Sequence, residues 1–330
     1  MDISDHEDFD EEVSDSEIKI MDCTIRDGGL MNNHLFKDET VKAVYDACVE
    51  SGIDYMEIGY KNSIRMFPPS GYGAWKFCRE DDIRRIVGEN DTQLKLSAMA
   101  DAEKSDYRVD ILPKEQSVLD MIRVAAYIHQ IPLALDMIKD AHDKGYETAI
   151  NLMAVSVVPD DELNKALELL ANSEVTILYI VDSYGALYPG QTRAVLKNFI
   201  HHAASAGKQV GIHIHNNRQL ALANTLEAIN LKANMLDASM AGCGRGAGNC
   251  HIELLMSFLQ NPKYSLRPVL ECIQNHIEPL RDKLLWGYDI PYMLTGLFNI
   301  HPGVAMQFNL GRDKGDIVKL FNLLAAEDEG

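Results

Sequence analysis

From residue 18 to about residue 260, short apolar, β-branched runs alternate eight times with amphipathic stretches, and this alternation constrains the fold more than any other feature of the chain. A strand that must return to lie beside the next parallel strand needs a crossover helix, so the pattern is that of βα units in a parallel sheet. The spacing predicts strands at 18–23, 54–59, 93–99, 120–124, 147–153, 176–181, 209–214 and 234–239. It predicts helices at 39–51, 132–143, 159–171, 189–205, 217–230 and 250–260, with weaker signals at 80–88 and 111–117. Pro159-Asp160-Asp161-Glu162 places acidic residues in a first helical turn, where they complement the dipole, and Pro189 marks a second helix start. Eight such units are most simply a closed (β/α)8 barrel, an α/β fold of the TIM-barrel type. Residues 60–78, with Pro68, Pro69, Gly71 and Gly73, read as a long irregular loop over the C-terminal mouth of that barrel. After residue 261 the pattern changes to helix-like segments at 268–285 and 315–326.

The organisation expected is an acidic disordered tail at 1–17, a barrel at 18–262 and a C-terminal helical extension at 263–330. The tail holds nine carboxylates and no Lys or Arg, so only −10 of the formal charge of −19 belongs to the rest of the chain. Such a segment has too little apolar surface to offset the entropy of ordering. An acidic body without a basic stripe argues against nucleic acid as a partner. No run reaches the 18 or more apolar residues a membrane span requires. No signal-like start is seen, and six dispersed cysteines without a Cys-x-x-Cys fit reduced thiols in the cytoplasm.

In parallel barrels the strand C-termini carry the chemistry. This reading brings Arg26 and Asp27 after the first strand, Glu57 in the second and Arg123 in the fourth. Asp182 and Ser183 follow the sixth, His213 and His215 end the seventh, and Gly242 to Asn249 follow the eighth. Residues i and i+2 of a strand share a face, which puts two imidazoles about 7 Å apart. With Asp27 supplying an oxygen from another strand end, they form a site for one divalent cation.

Taken together, Asp22-x-Thr24-x-Arg26-Asp27-Gly28, His213-x-His215-Asn216 and Gly-x-Gly-x-x-Ala-Gly-Asn at 242–249 resemble the DRE-TIM metallolyases. That superfamily includes 4-hydroxy-2-oxovalerate aldolase, 3-hydroxy-3-methylglutaryl-CoA lyase and isopropylmalate synthase. The aldolases look nearest, because Asp182-Ser183-Tyr184-Gly185 is similar to their strand-six motif. The resemblance implies that Asp27, His213 and His215 hold a divalent metal, that Arg26 stabilises enolate charge, and that Ser183 helps hold a substrate carboxylate. Manganese is the expected ion, with magnesium or zinc as alternatives. The counterpart of Asn249 is a metal ligand in the lyase branch and stands behind the ligands in the others, so the resemblance leaves its role here open. The reaction implied makes or cleaves a C–C bond through the enolate of a pyruvate-like 2-oxo acid, with an aldehyde as partner. A homo-oligomer is expected, and the C-terminal helices could contact a dehydrogenase as those of the aldolases do.

The aldolases carry a histidine three residues after the Asp, and the synthases carry Glu-Gln after the glycine; here Gly29-Leu30 stand instead. The base is therefore open among His34, Tyr184, Tyr288 and Tyr292. Glu57 and Asp182 fit either a role beside the reactants or a structural pairing. Without the flanking glycines Arg26-Asp27 would read as a surface ion pair, and a lone His-x-His is more often structural than ligating. Lys61 and Lys95 raise Schiff-base chemistry as an alternative. Two other readings are an acyl-CoA condensation of the synthase type, against which the absent Glu-Gln weighs, and a catalytically weak relative acting as a binding partner.

Overall fold

A computed structural model describes residues 18–328, so the tail expected at 1–17 lies outside the described residues. Eight strands form a closed, all-parallel barrel in sequence order. They are β1 (Lys19–Asp22), β2 (Tyr55–Tyr60), β3 (Lys95–Asp101), β4 (Met121–Ala126), β5 (Glu147–Leu152), β6 (Ile177–Asp182), β7 (Gln209–Ile214) and β8 (Met235–Ala238). Closure runs through β8 onto β1, with Met21 opposite Asp237. All eight predicted strands are present. Helices at Asp38–Ser51, Glu80–Val87, Ile131–Asp143, Asp160–Ala171, Pro189–Ser205, Ala221–Asn230 and Ile252–Leu259 follow the strands and pack on the outside of the barrel.

Three predicted helices differ, each for a local reason. At 217–230 the helix starts only at Ala221, because the Asn216 side chain accepts the Ala221 N–H at 3.1 Å and holds a loop open before it. At 111–117 Pro113 lacks an N–H, and only the short turn Lys114–Gln116 forms; another short turn, Tyr107–Asp110, precedes the segment. The segment read as 268–285 is regular only over Leu266–Cys272, then widens and tightens through two short turns, with Pro279 in the second. Two helices not foreseen, Ile290–Leu297 and Gly303–Leu310, precede the final one at Ile317–Asp328.

The barrel interior is closed at its lower end by Met21, Tyr55, Met121, Tyr179 and Met235. Gly211 is required there: a Cβ would land on the Tyr179 ring. Above this apolar plug the interior is charged. A bulge shifts the β2–β3 register between Glu57 and Gly59, so that Glu57 pairs with Ser97 and Tyr60 with Met99. Without the bulge these two residues, three apart, would face opposite sides. The C-terminal helices sit across the mouth. Trp286 Nε1 donates to the Ala241 carbonyl, Asn217 Nδ2 donates to that of Tyr292, and Asn299 exchanges hydrogen bonds with Ser156. Among the described residues no helix is long and apolar enough to cross a membrane.

Candidate active site

Asp22 ends β1 and turns the chain. Its carboxylate accepts the Thr24 N–H at 3.1 Å and the Thr24 hydroxyl at 2.5 Å, and Thr24–Gly28 forms one helical turn at the barrel mouth. Burial pushes the Asp22 carboxyl up to about 7 against these hydrogen bonds. The turn, rather than an extended strand end, aims Arg26 and Asp27 inward.

From there a chain of buried ion pairs crosses the barrel. Arg26 bonds Asp27 at 2.7 Å and Glu57 at 2.6 Å; Glu57 also receives Arg123 at 3.0 Å. Arg123 reaches Asp237 at 2.6 Å, and Asp237 meets His213 Nδ1 at 2.9 Å. The Arg123 guanidinium lies 4.1 Å from the centre of the Tyr179 ring. Burial would lower the pKa of Arg123, but Asp237 and Glu57 outweigh it and keep the side chain charged. Likewise burial would raise the Asp27 carboxyl, yet Arg26, His215 and His213 hold it well below the usual carboxylate range.

Asp237 accepts from Arg123 and from His213, so His213 Nδ1 carries a proton and the ring turns Nε2 outward. That Nε2 is buried with no partner among the described residues. The ligand atoms of Asp27, His213 and His215 all lie within 4.8 Å of one another. Burial takes the His215 imidazole down to about 3, with Asp27 pulling it the other way, so it is neutral and able to ligate. Asn249 Nδ2 donates to Asp27 Oδ2 at 2.8 Å, while Asn249 Oδ1 is a second buried acceptor without a partner. Within the ion-paired chain three carboxylates face two guanidiniums, leaving net negative charge beside the two imidazoles. This donor set, carboxylate plus two nitrogens with an orphaned lone pair, fits a divalent cation.

These side chains line a cavity of about 300 Å³ at the C-terminal mouth, together with Ser183, Arg245, Lys76, Tyr127 and His301. Ser183 Oγ accepts the Ala154 N–H at 2.9 Å, leaving its own proton to donate. Glu57 stands behind Arg26. Asp182 does not line the cavity; its oxygens accept the N–H groups of Ala186 and Leu187 and fix the turn that carries Ser183. Leu30, not a histidine, lines the wall after Asp27. His34 lies against Gly29, where a Cβ would overlap its ring, and edge-on to Tyr60 with 5.2 Å between centroids. Tyr288 and Tyr292 border a separate pocket, and Tyr184 borders a neighbouring one, its ring edge-on to His301 with 5.7 Å between centroids. Neither lysine considered for Schiff-base chemistry enters the cavity. Lys61 donates to the Cys78 carbonyl and pairs with Glu80, and Lys95 opens β3 at the opposite end, near Tyr55 and Glu147. Asp237, Arg245, Lys76 and His301 were missed in the sequence. Asp237 alone had a signal, a carboxylate between Leu236 and Ala238 in an apolar strand, the same anomaly that singled out Glu57.

A model of the HMGL-like family matches residues 17–274. The chain belongs to the HMGL-like family. With it the chain falls in the DRE-TIM superfamily. Among curated relatives, the family member from Mycobacterium tuberculosis known as oxaloacetate decarboxylase is 30% identical over 73% of this chain and 69% of its own length. The 4-hydroxy-2-oxovalerate aldolase of Thermus thermophilus is 28% identical over 82% and 80%. A solved structure from Bacteroides vulgatus, the N-terminal domain of a protein provisionally assigned as an aldolase, superposes with a TM-score of 0.76. It is 28% identical and covers 92% of this chain and all of that one. The HMG-CoA lyase of Bacillus subtilis, at 19% identity and a TM-score of 0.68 over 81% of this chain and 95% of that one, shares the fold.

Proposed function

We propose that this protein is a divalent-metal-dependent carbon–carbon lyase that works through the enolate of a pyruvate-like 2-oxo acid. One observation carries the reading: Asp27, His213 and His215 converge at the floor of the cavity beside a buried Arg26 that still has an unpartnered N–H at Nη2. The reactions for which the two relatives are named support it by their chemistry. Loss of CO2 from oxaloacetate and loss of acetaldehyde from 4-hydroxy-2-oxovalerate both leave the enolate of pyruvate.

Asp27, His213 and His215 would hold the divalent cation, manganese being the expected one, which when bound would supply Lewis-acid polarisation of the keto and carboxylate oxygens of the 2-oxo acid. Arg26, held by Glu57 and Asp27, presents its free N–H where negative charge develops on the enolate oxygen, and needs no reorganisation to do so. Ser183 and Arg245 offer donors to the substrate carboxylate. His301 enters the cavity from the C-terminal helices. Its Nδ1 accepts the Gly303 N–H at 3.0 Å, so the neutral ring carries its proton at Nε2 and is a donor there.

Protein loaded with Mn2+ is expected to release pyruvate from oxaloacetate or from 4-hydroxy-2-oxovalerate faster than Mn2+ alone, and EDTA should abolish the release. Pyruvate production indifferent to EDTA, or none from either compound, would contradict the reading.

A further inference from the structure

One buried cation in the cavity belongs to none of the ion pairs described above. Lys76 is 6% exposed and lines the cavity from the loop after β2. Among the described residues its ammonium has no hydrogen-bond or salt-bridge partner. It rests on aromatic faces instead, 4.3 Å from the centre of the Phe67 ring, 4.9 Å from that of Tyr60 and 5.7 Å from that of Tyr72. Asp101 attracts it from a distance but is paired with Lys104 at 3.4 Å. Burial lowers its pKa, with no ion pair to restore it. Buried charges in folded proteins are paired or bind something. Cation–π contacts compensate an ammonium only in part.

Its position says what is missing. In a closed barrel of eight strands, β2 and β3 lie across from β6 and β7. The ligand set is built from the ends of β1 and β7, and Lys76 follows β2, on the wall across from β6. With its carboxylate on Ser183, after β6, and Arg245, after β8, a 2-oxo acid at the ligand set would turn its far end to the wall that carries Lys76.

We propose that Lys76 is the receptor for an anionic group, a carboxylate or a phosphate, on the second half of the substrate, so that the aldehyde joined or released here is a negatively charged one. This rests on the enolate reading of the site. In the condensing direction the methyl carbon of pyruvate loses one proton and bonds to the aldehyde carbon, whose oxygen takes up one proton to become the hydroxyl. Lys76 takes no part in bond making; it is a specificity-determining residue that positions the electrophile.

The test compares aldehydes matched in size with Mn2+-loaded protein and pyruvate: succinic semialdehyde against butanal for the carboxylate, glycolaldehyde phosphate against propanal for the phosphate. The wild type should prefer the anionic member of at least one pair in kcat/KM. Lys76→Met, which keeps the apolar stem in its aromatic cage, should reduce that preference about 100-fold, the scale for removing one partner of a buried charge pair. Lys76→Arg should restore much of it. Titration calorimetry with glutarate and pentanoate, which needs no turnover, gives a second reading: glutarate should bind the wild type more tightly, and Lys76→Met should erase the difference. Equal preference in wild type and Lys76→Met, in both assays, would overturn the proposal, as would trapping of a pyruvate adduct on Lys76 by borohydride. A Lys76-dependent glutarate preference without pyruvate chemistry would leave the anion site standing and remove the enolate reading.

Discussion

His213→Ala is expected to weaken Mn2+ binding by at least about 100-fold and to lower kcat/KM for pyruvate release on the order of 1000-fold, equivalent to ~4 kcal/mol of transition-state stabilisation. The fold should survive, because Asp237, released from the imidazole, keeps its ion pair with Arg123 at 2.6 Å. Asn249→Ala removes the hydrogen bond that orients Asp27 together with the unpartnered Oδ1 beside it, and should cost about 10–100-fold, as outer-shell changes at metal sites do. Calorimetric titration with Mn2+ separates the two effects from activity. Unchanged Mn2+ affinity in His213→Ala would take His213 out of the ligand set and leave its orphaned Nε2 to be explained otherwise.

Arg123→Met should be the most damaging single change to stability. Arg123 is fully buried and, among the described residues, is the one ion-pair partner shared by Glu57 and Asp237. Its loss leaves two buried carboxylates with one partner each, and breaking a buried pair costs about 3–5 kcal/mol because the remaining charge is uncompensated. Urea unfolding monitored by circular dichroism measures this directly. The pairing of Arg123→Met with Asp237→Asn should recover part of the loss, since one of the two stranded charges goes with it. A change below about 1 kcal/mol in the single variant would mean that the Arg123 link is not structural. Activity should fall as well: Asp237 fixes the His213 tautomer, and Glu57 holds Arg26.

Both predictions depend on features that differ in how far they could be read from the sequence. The strands were legible because each is a short β-branched run, buried on both sides, bounded by polar ends. His213 and His215 were legible because they close such a run two residues apart, and Asp27 because its turn follows another. The ion-paired chain was half visible. Glu57 and Arg123 stand out as charges within apolar strands, but Asp237, the second partner of Arg123, was overlooked, and only the barrel's closure brings β2, β4 and β8 to one axis. Lys76, Arg245 and His301 lie on loops and beyond the eighth strand, where no periodicity fixes which side chain turns inward. The C-terminal helices were expected as an extension, yet their place over the mouth follows from contacts such as Trp286 to Ala241 that have no sequence pattern. His34 illustrates the limit most clearly. Its approach to the site depends on Gly29 having no Cβ, a packing fact that spacing alone does not reveal.

Exchange of the pyruvate methyl protons in D2O, followed by proton NMR, tests enolate formation with no aldehyde present. With Mn2+ bound, the wild type is predicted to exchange these protons well above the rate of Mn2+ alone, EDTA to stop the exchange, and His213→Ala to show none beyond background. Exchange that persists in EDTA, or its absence from a protein that holds Mn2+ tightly, would contradict a metal-assisted enolate of pyruvate as the centre of this protein's chemistry.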